Sequence, residues 1–350
     1  MTNPYSNLAD HGFWRRSVSD VEAHRFDPVV NPRFAISSDT RVATAGSCFA
    51  QHISRSLAAS GCNYFVSEAG DALPETERTR RNFGVFSARY GNIYSTMQLN
   101  QLFDEAFGAR RPDDHAWRRP DGRWVDPFRQ QVEPAGFADP AEVAADRTNH
   151  LAAVRRMFEQ CDLFVFTLGL TECWRALSDG SVYSSAPGVI AGDFDPARHT
   201  FDNLDVAICY AELAAFLTKL RACNADVRVL LTISPVPLIA TAEDRSVVVA
   251  TAYSKAVLRV VADMAWRAFD WVDYFPSYEI ITGSQAHGRY YEDDAREVNR
   301  LGVAHAMRCF LANYLEGGTR DAPDAWPVPV SAGVSQVICD EEVLDSREAM

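Results

Sequence analysis

Short apolar runs alternate with longer helix-like segments along most of this chain. The runs contain few polar positions, as expected of strands that are buried on both faces. They predict strands at residues 41–45 and 63–66, in the 162–172 run up to Gly169, at 226–237, and at the start of 269–279, where a short strand is followed by a turn. Between them, apolar residues recur at helical spacing and predict helices at residues 49–60, 96–107, 140–160, 203–223, 247–266 and 299–314. Strand–helix alternation of this kind is typical of a mostly parallel sheet with helices on both faces, a three-layer α/β/α sandwich.

The same pattern divides the chain into parts. Residues 1–35 are polar and predict an N-terminal arm, whereas residues 36–316 carry the alternation and predict a single α/β domain. Residues 67–135 are rich in Arg, Asp, Gly and Pro and predict an insertion in that domain. Residues 317–350 are rich in Pro, Asp and Glu and predict a loose C-terminal tail.

Charge and cysteine usage narrow the classes of partner. The net charge of -13 disfavours nucleic acid and anionic membrane surfaces as main partners. No apolar stretch has the length of a membrane span, and the polar N-terminus does not resemble a secretory signal. None of the eight cysteines forms a C-x-x-C pair, and no metal-ligand spacing or phosphate loop stands out. We therefore expect a cytoplasmic protein with reduced thiols, no metal and no cofactor. The sequence leaves the oligomeric state open.

Polar residues follow the predicted strands where each one ends. Gly46, Ser47 and Cys48 follow the first strand, a Gly169–Glu172 segment ends the 162–172 run, and Ser234 ends another. Ligands of open α/β sheets bind outside the carboxyl ends of the strands. Each residue alone also fits an ordinary turn or cap, but the repetition predicts a site at this edge of the sheet.

Ser47 and Cys48 place two nucleophilic side chains side by side at a strand-to-helix turn. The first turn of a helix carries unpaired N–H groups and a partial positive charge, which favour a thiolate and stabilise an oxyanion. The alternatives are that Ser47 is a plain N-cap and that Cys48 is a small buried hydrophobe.

Several blocks of the sequence resemble one known family. The string "GSCFA" at 46–50 is followed by "YGNIY" at 90–94, "TLGLTECW" at 167–174, "TISPVPL" at 232–238 and "YSKAVLR" at 253–259. On these blocks the chain resembles the GSCFA family, which looks like a branch of the SGNH (GDSL-type) hydrolase superfamily. The resemblance implies a flavodoxin-like α/β/α fold that hydrolyses or transfers acyl esters, often on carbohydrate.

The resemblance also implies roles for individual residues. Cys48 occupies the position of the nucleophile, and Ser47 occupies that of the preceding aspartate. Gly91 and Asn92 match the block that supplies a glycine N–H, and possible amide donor, to the oxyanion. Thr171 takes the place of an asparagine donor, and the neighbouring Glu172 is placed to bind substrate hydroxyls or to orient a neighbour.

The last block departs from the superfamily pattern. Asp294 matches the aspartate of Asp-x-x-His, but Glu297 stands where the base histidine is expected. A carboxylate is a weaker base near neutral pH unless burial raises its pKa. His52, four residues after Cys48, is the nearest candidate to replace the histidine. Capping at the helix N-terminus is the alternative role for Asp294 and Glu297.

Two functions are therefore expected from the sequence. The first is an SGNH-like acyl esterase or O-acyltransferase that acts on a carbohydrate or glycoconjugate precursor, with Cys48 or Ser47 as nucleophile. The alternative is a non-catalytic protein that binds a glycan or nucleotide-sugar in the former active-site cleft. In both, the partner is a small molecule or carbohydrate.

Overall fold

A computed structural model describes residues 3–318 of the chain. These residues belong to two compact units, of which the larger spans Ser38–Tyr274 and the smaller joins the residues up to Ser37 with those from Phe275 onward. Each unit is described by itself below. The predicted C-terminal tail, apart from its first two residues, lies outside the described residues.

The described elements are eight strands and eight α-helices. The strands are β1 (Val42–Gly46), β2 (Trp117–Arg118), β3 (Trp124–Val125), β4 (Leu163–Leu168), β5 (Glu172–Ala176), β6 (His199–Asn203), β7 (Arg228–Ile233) and β8 (Val272–Tyr274). The helices are α1 (Ala50–Ala59), α2 (Glu75–Arg80), α3 (Thr96–Ala106), α4 (Pro140–Gln160), α5 (Val206–Cys223), α6 (Val247–Ala268), α7 (Ser277–Thr282) and α8 (Arg300–Tyr314). All six predicted helices are present.

The core of the larger unit is a parallel sheet. Its order is β1-β4-β7-β8, and every neighbouring pair is parallel. All residues of β1 and β4 are buried, which is why their sequences lack polar–apolar alternation. The predicted α/β class with a parallel central sheet is confirmed.

Connection handedness assigns the helices to the two faces of this sheet. The chain passes from β4 through α5 to β7 and through α6 to β8, always in the same direction across the sheet. Right-handed crossovers therefore put α5 and α6 on one face, where α3 and α4 pack against α5. The chain leaves β1 through α1 toward a parallel bridge on the other side of β1, so α1 covers the opposite face.

That bridge is all that forms of the strand predicted at residues 63–66. Tyr64 pairs with Val42, and the N–H of Phe65 donates to Val42 O at 2.9 Å. Two residues later the N–H of Ser67 donates instead to Ser87 O at 2.8 Å, inside the insertion. The prediction of a strand here is wrong because the insertion takes over the backbone hydrogen bonding.

A β-ribbon in the larger unit was not expected from the sequence. Strands β5 and β6 pair antiparallel, and β5 begins three residues after β4 ends. The strand predicted to end at Gly169 is confirmed as β4, whereas β5, which follows the turn at residues 169–171, was not predicted. Strands β2 and β3 form a second short ribbon inside the insertion.

The smaller unit contains α7, α8 and three short helical turns before residue 26. The rings of Phe275 and Phe310 pack edge to face at 5.4 Å, and Ile36 pairs with Leu315 in a parallel bridge. Across residues 3–318, no helix has the length and apolar character needed to cross a membrane.

Candidate active site at the strand ends

Gly46 ends β1 at a position where only glycine fits. Its φ is +134°, and an added β-carbon would lie 2.3 Å from the carbonyl oxygen of Thr167 on β4. The N–H of Ser47 then donates to that same oxygen at 3.1 Å. This close approach anchors the start of the "GSC" turn to the neighbouring strand.

The turn that follows leaves two backbone donors unpaired. The N–H groups of Ala50 and Gln51 donate to Ser47 O and Cys48 O at 2.9 and 3.1 Å, so the chain makes a tight i→i+3 turn before α1. Within the part of the chain that the structure describes, the N–H groups of Cys48 and Phe49 donate to no acceptor. Because they stand at the N-terminus of α1, they form a candidate oxyanion site.

Both candidate nucleophiles are buried at this turn. Cys48 is 4% exposed, and Ser47 is 2% exposed. The hydroxyl of Ser47 has no hydrogen-bond partner among residues 3–318. An unpartnered buried hydroxyl is costly, so the expected plain N-cap role does not account for it: the structure describes no side-chain cap on α1.

The "YGNIY" segment joins the "GSCFA" block, here called the first motif, to the "TLGLTECW" block, here called the third motif, through its backbone. The N–H of Ile93 donates to Gly46 O at 2.9 Å. The carbonyl of Tyr94 accepts from the N–H groups of Gly169 and Leu170, both at 3.0 Å. The three segments that the sequence singled out therefore meet at one edge of the sheet, held by main-chain hydrogen bonds.

Gly91 and Asn92 lie beside α1 in the same segment. Gly91 has a φ of +70°, which favours glycine, and Asn92 is buried. The backbone carbonyl of Asn92 accepts from Gln98 Nε2 at 3.2 Å. Together with Gln51 of α1, Gly91 and Asn92 line a small cavity of about 20 Å³.

A buried ionic cluster between the insertion and α4 supports this segment. Arg129 pairs with Asp126 at 2.8 Å and with Asp146 at 2.6 Å, and Arg89 pairs with Asp146 at 3.1 Å. Arg129 also packs against Gly91, since an added β-carbon there would lie 3.9 Å from Arg129 Cβ. Some of the Arg and Asp residues that are abundant in the insertion thus form a buried network of ion pairs.

Thr171 is buried and uses its hydroxyl within the protein. Its Oγ1 donates to Asn203 Oδ1 at 2.6 Å, and its N–H donates to Ser254 Oγ at 3.0 Å. The Thr171 hydroxyl, which the resemblance implies as a donor to the oxyanion, therefore donates to Asn203 of β6 instead. In this position Thr171 fixes the β5–β6 ribbon to the third motif.

Glu172 begins the ribbon and is half-buried. Its carboxylate accepts from Thr241 Oγ1 at 2.6 Å and from the N–H of Ala242 at 3.4 Å. Burial raises the pKa of the Glu172 carboxyl above its usual value, against the opposing effect of the Thr241 hydrogen bond. Glu172 lines the cleft described below, and its expected contact to substrate hydroxyls stays a prediction.

Ser234 shapes the turn after β7. Its N–H donates to Leu168 O at 2.9 Å, and its Oγ accepts from the N–H of Val236 at 3.3 Å. It is 1% exposed. These contacts match the turn role that was the alternative to ligand binding.

Two residues of α6 support the third motif and were not predicted from the sequence. Lys255 is 1% exposed, and its Nζ donates to Gly169 O at 2.8 Å. The neighbouring Ser254 accepts from Thr171 as described above. The signal was present, because Lys219 and Lys255 are the only lysines in the chain and "YSKAVLR" is one of the family blocks.

His52 lies in the first turn of α1, with its ring 5.5 Å from that of Phe49. Burial, with a smaller contribution from Arg55, lowers the pKa of His52 to about 4. The imidazole is therefore neutral at pH 7 and a weak base. None of the contacts described for residues 3–318 joins its ring to Cys48.

Asp294 and Glu297 belong to the smaller unit, in the exposed loop before α8. Asp294 Oδ1 accepts from the N–H groups of Arg296 and Glu297 at 2.9 and 3.0 Å. Asn299, not Asp294, caps α8, since its Oδ1 accepts from the N–H of Gly302. The side chain of Asp294 therefore closes its own loop.

The β5–β6 ribbon forms one wall of a cleft of about 250 Å³ in the larger unit. We call it the ribbon cleft; the residues that line it include Tyr94, Ser95, Leu170, Glu172, Trp174, Tyr183, Ser184, Ser185, Phe201, Leu238 and Thr241. Tyr94 and Leu170 come from the joined motif segments, so the cleft adjoins the "GSC" turn. Within residues 3–318, no three His, Cys, Asp or Glu side chains group as metal ligands.

The fold and the joined strand-end segments define an α/β protein with a candidate thiol site at the carboxyl edge of its sheet. The chain belongs to the GSCFA family, whose model matches residues 41–310. This match covers all the motif segments described above and confirms the resemblance drawn from them. Searches of curated proteins and of solved structures gave no significant match.

Proposed function

We propose that this protein is an SGNH-like acyl esterase or O-acyltransferase with Cys48 as its nucleophile and a carbohydrate or glycoconjugate precursor as its substrate. One observation carries the proposal: a buried cysteine stands at a helix N-terminus where two consecutive N–H groups, those of Cys48 and Phe49, have no acceptor among residues 3–318. Backbone donors at such a position stabilise the oxyanion of a tetrahedral intermediate.

The reaction has two steps. The Cys48 thiol gives up its proton and adds as a thiolate to the ester carbonyl; collapse of the intermediate breaks the ester C–O bond and leaves a thioester, and the leaving oxygen takes up that proton to depart as the alcohol. Water or an acceptor hydroxyl then attacks the thioester, giving an acid or a new ester and regenerating the thiol. The N–H groups of Cys48 and Phe49 hold the oxyanion in both steps. Proton transfer by Asp294, Glu297 or His52 stays a prediction from the sequence.

The test is hydrolysis of p-nitrophenyl acetate and butyrate by the wild type and by Cys48→Ala, Ser47→Ala and Cys62→Ala variants. We expect activity to vanish only in Cys48→Ala and mass spectrometry to find an acyl group on the Cys48 peptide. Cys62 is a matched control because it is a partly exposed thiol just after α1.

The other outcomes are equally informative. Activity and an adduct that follow Ser47 would move the nucleophile by one residue. Absence of both activity and adduct in every form, with these and longer acyl donors, would favour a non-catalytic protein that binds a glycan or nucleotide-sugar.

A further inference from the structure

The ribbon presents one face to the ribbon cleft. Trp174 on β5 is directly opposite Phe201 on β6, with ring centroids 5.5 Å apart and planes tilted by 56°. Glu172 lies two residues before Trp174, hence on the same face of the strand. Both rings are partly exposed, so they offer apolar surface beside a carboxylate.

Several residues of the remaining lining supply hydroxyl groups, beside apolar side chains such as Leu170 and Leu238. Ser95, Ser184, Ser185 and Thr241 all line the cleft, and Ser185 Oγ has no hydrogen-bond partner within residues 3–318. A hydroxyl both donates and accepts hydrogen bonds. Groups of this kind match a ligand that also carries hydroxyls, whereas an ammonium ligand requires acceptors only.

The charge of the lining limits the ligand further. Among the described residues that line the cleft, none is Lys, Arg or His, and Glu172 is the one carboxylic acid. A phosphate or carboxylate placed there would be partly desolvated beside Glu172 with no cation to pair it. The chain's net charge of -13 adds to the repulsion.

The ribbon cleft and the "GSC" turn both have a residue close to Gly169. A β-carbon added at Gly169 would lie 3.0 Å from Tyr94 Cδ1 and 3.1 Å from Ser47 Cβ. The Tyr94 ring, which lines the cleft, and the Ser47 side chain are therefore neighbours around Gly169. Tyr94 therefore connects the lining of the cleft to the residue that precedes Cys48.

We propose that the ribbon cleft binds a neutral, hydroxyl-bearing ring of about one monosaccharide unit and excludes anionic sugar derivatives such as nucleotide-sugars. The cleft of about 250 Å³ is larger than the roughly 150 Å³ that holds a benzene ring. The aromatic pair packs on the C–H face of the ring, and Glu172 with the serine hydroxyls binds its OH groups. Identification of this ring as the alcohol part of the ester rests on the proposed function.

The test measures binding in the Cys48→Ala protein, in which no turnover by Cys48 occurs. Saturation-transfer NMR titrations use the methyl glycosides of glucose, galactose, mannose and N-acetylglucosamine, and, as anionic counterparts, glucose 1-phosphate and UDP-glucose. We expect at least one neutral glycoside to bind saturably and both anionic compounds to bind at least about ten-fold more weakly. Adding Trp174→Ala or Glu172→Gln raises the Kd of that glycoside about ten-fold. Trp271→Ala, a partly buried tryptophan outside the lining, leaves it unchanged.

Two results would overturn the proposal. One is the absence of saturable binding by every neutral glycoside up to its solubility limit, and the other is anionic compounds that bind as tightly as neutral ones. Circular dichroism of each variant separates loss of binding from loss of fold. If a neutral glycoside binds but the wild type hydrolyses no ester, the acyl-transfer function is refuted. The proposal that the cleft binds a neutral, hydroxyl-bearing ring would still hold.

Discussion

Ser47 and Gly169 are so close that a β-carbon added to Gly169 would lie 3.1 Å from Ser47 Cβ. The same added atom would lie 3.1 Å from the carbonyl of Tyr94, which accepts two hydrogen bonds from the third motif. Gly169 thus allows the three segments to approach one another, and its lack of a side chain is part of the site's geometry.

Gly169→Ala therefore perturbs the site more than the fold. Because the neighbours must give by only a few tenths of an ångström, we expect a loss of about 1–2 kcal/mol in the free energy of unfolding and at least a ten-fold loss of esterase activity.

Gly46→Ala, with a 2.3 Å clash against backbone at a φ of +134°, destabilises by several kcal/mol. Denaturant unfolding and hydrolysis rates check both. Gly12→Ala, with ordinary 3.6 Å contacts to Leu8, is the control; equal effects of all three variants would contradict the argument.

Lys255→Met removes the donor to Gly169 O while it nearly preserves side-chain length. We expect hydrolytic activity to fall about ten-fold or more and the free energy of unfolding to fall by about 1–3 kcal/mol, because the hydrogen bond is buried. Lys219→Met is the matched control, since Lys219 on α5 makes a half-buried ion pair with Asp104 on α3, away from the "GSC" turn. Equal activity in the two variants would show that the Lys255 contact does not position the site.

Alkylation separates Cys48 from the other thiols of the larger unit. Burial raises the pKa of Cys161, Cys173 and Cys209 to about 12, so these thiols stay protonated at neutral pH. Burial also raises the pKa of the more exposed Cys62. We expect iodoacetamide at neutral pH to modify Cys48 first, as read by peptide mass spectrometry. Modification of Cys62 before Cys48 would count against the nucleophile role.

Stability falls on acidification because of a buried histidine. His150 is fully buried, and its Nδ1 lies 2.7 Å from Glu68 Oε2. Burial, aided by the charge of Arg129, lowers the pKa of His150 to about 4. An unfolded histidine titrates near pH 6.5, so between these two values the unfolded chain binds a proton that the folded chain does not. The contribution, roughly 2–3 kcal/mol, is present above pH 6.5 and is lost as the pH falls toward 4.

Urea unfolding between about pH 7 and pH 4 measures this slope. His150→Gln flattens it but does not abolish it, because burial also lowers the pKa of His52 and His305 to about 4. His115→Gln, on an exposed loop, keeps the wild-type slope. An unchanged slope in His150→Gln would show that folding does not lower the pKa of His150.

Local signals made the helices predictable. The α4 helix was predicted with its observed bounds because Asp139 caps it through the N–H groups of Ala141 and Glu142, and Pro140 begins it. The strand-end positions of Gly46 and Gly169 were likewise visible as interruptions of apolar runs. These features depend only on residues adjacent in sequence.

Long-range pairing was not predictable in the same way. The β5–β6 ribbon joins Glu172 to Asn203, and neither strand has an apolar run of its own. The hydrogen bond from Lys255 to Gly169 spans 86 residues, and the one from Thr171 to Asn203 spans 32. Sequence periodicity reports which face of an element is apolar, not which distant segment its polar groups contact.

The three motif segments are joined through main-chain atoms of Gly46, Ile93, Tyr94, Gly169 and Leu170. Such a frame does not depend on which side chain stands at residues 47 and 48. An exchange between serine and cysteine there brings no charge, whereas an aspartate would place a carboxylate at positions that are 2% and 4% exposed. Because main-chain hydrogen bonds hold this edge of the sheet, we expect a Ser47 or Cys48 exchange between serine and cysteine to change the chemistry of the turn more than its geometry.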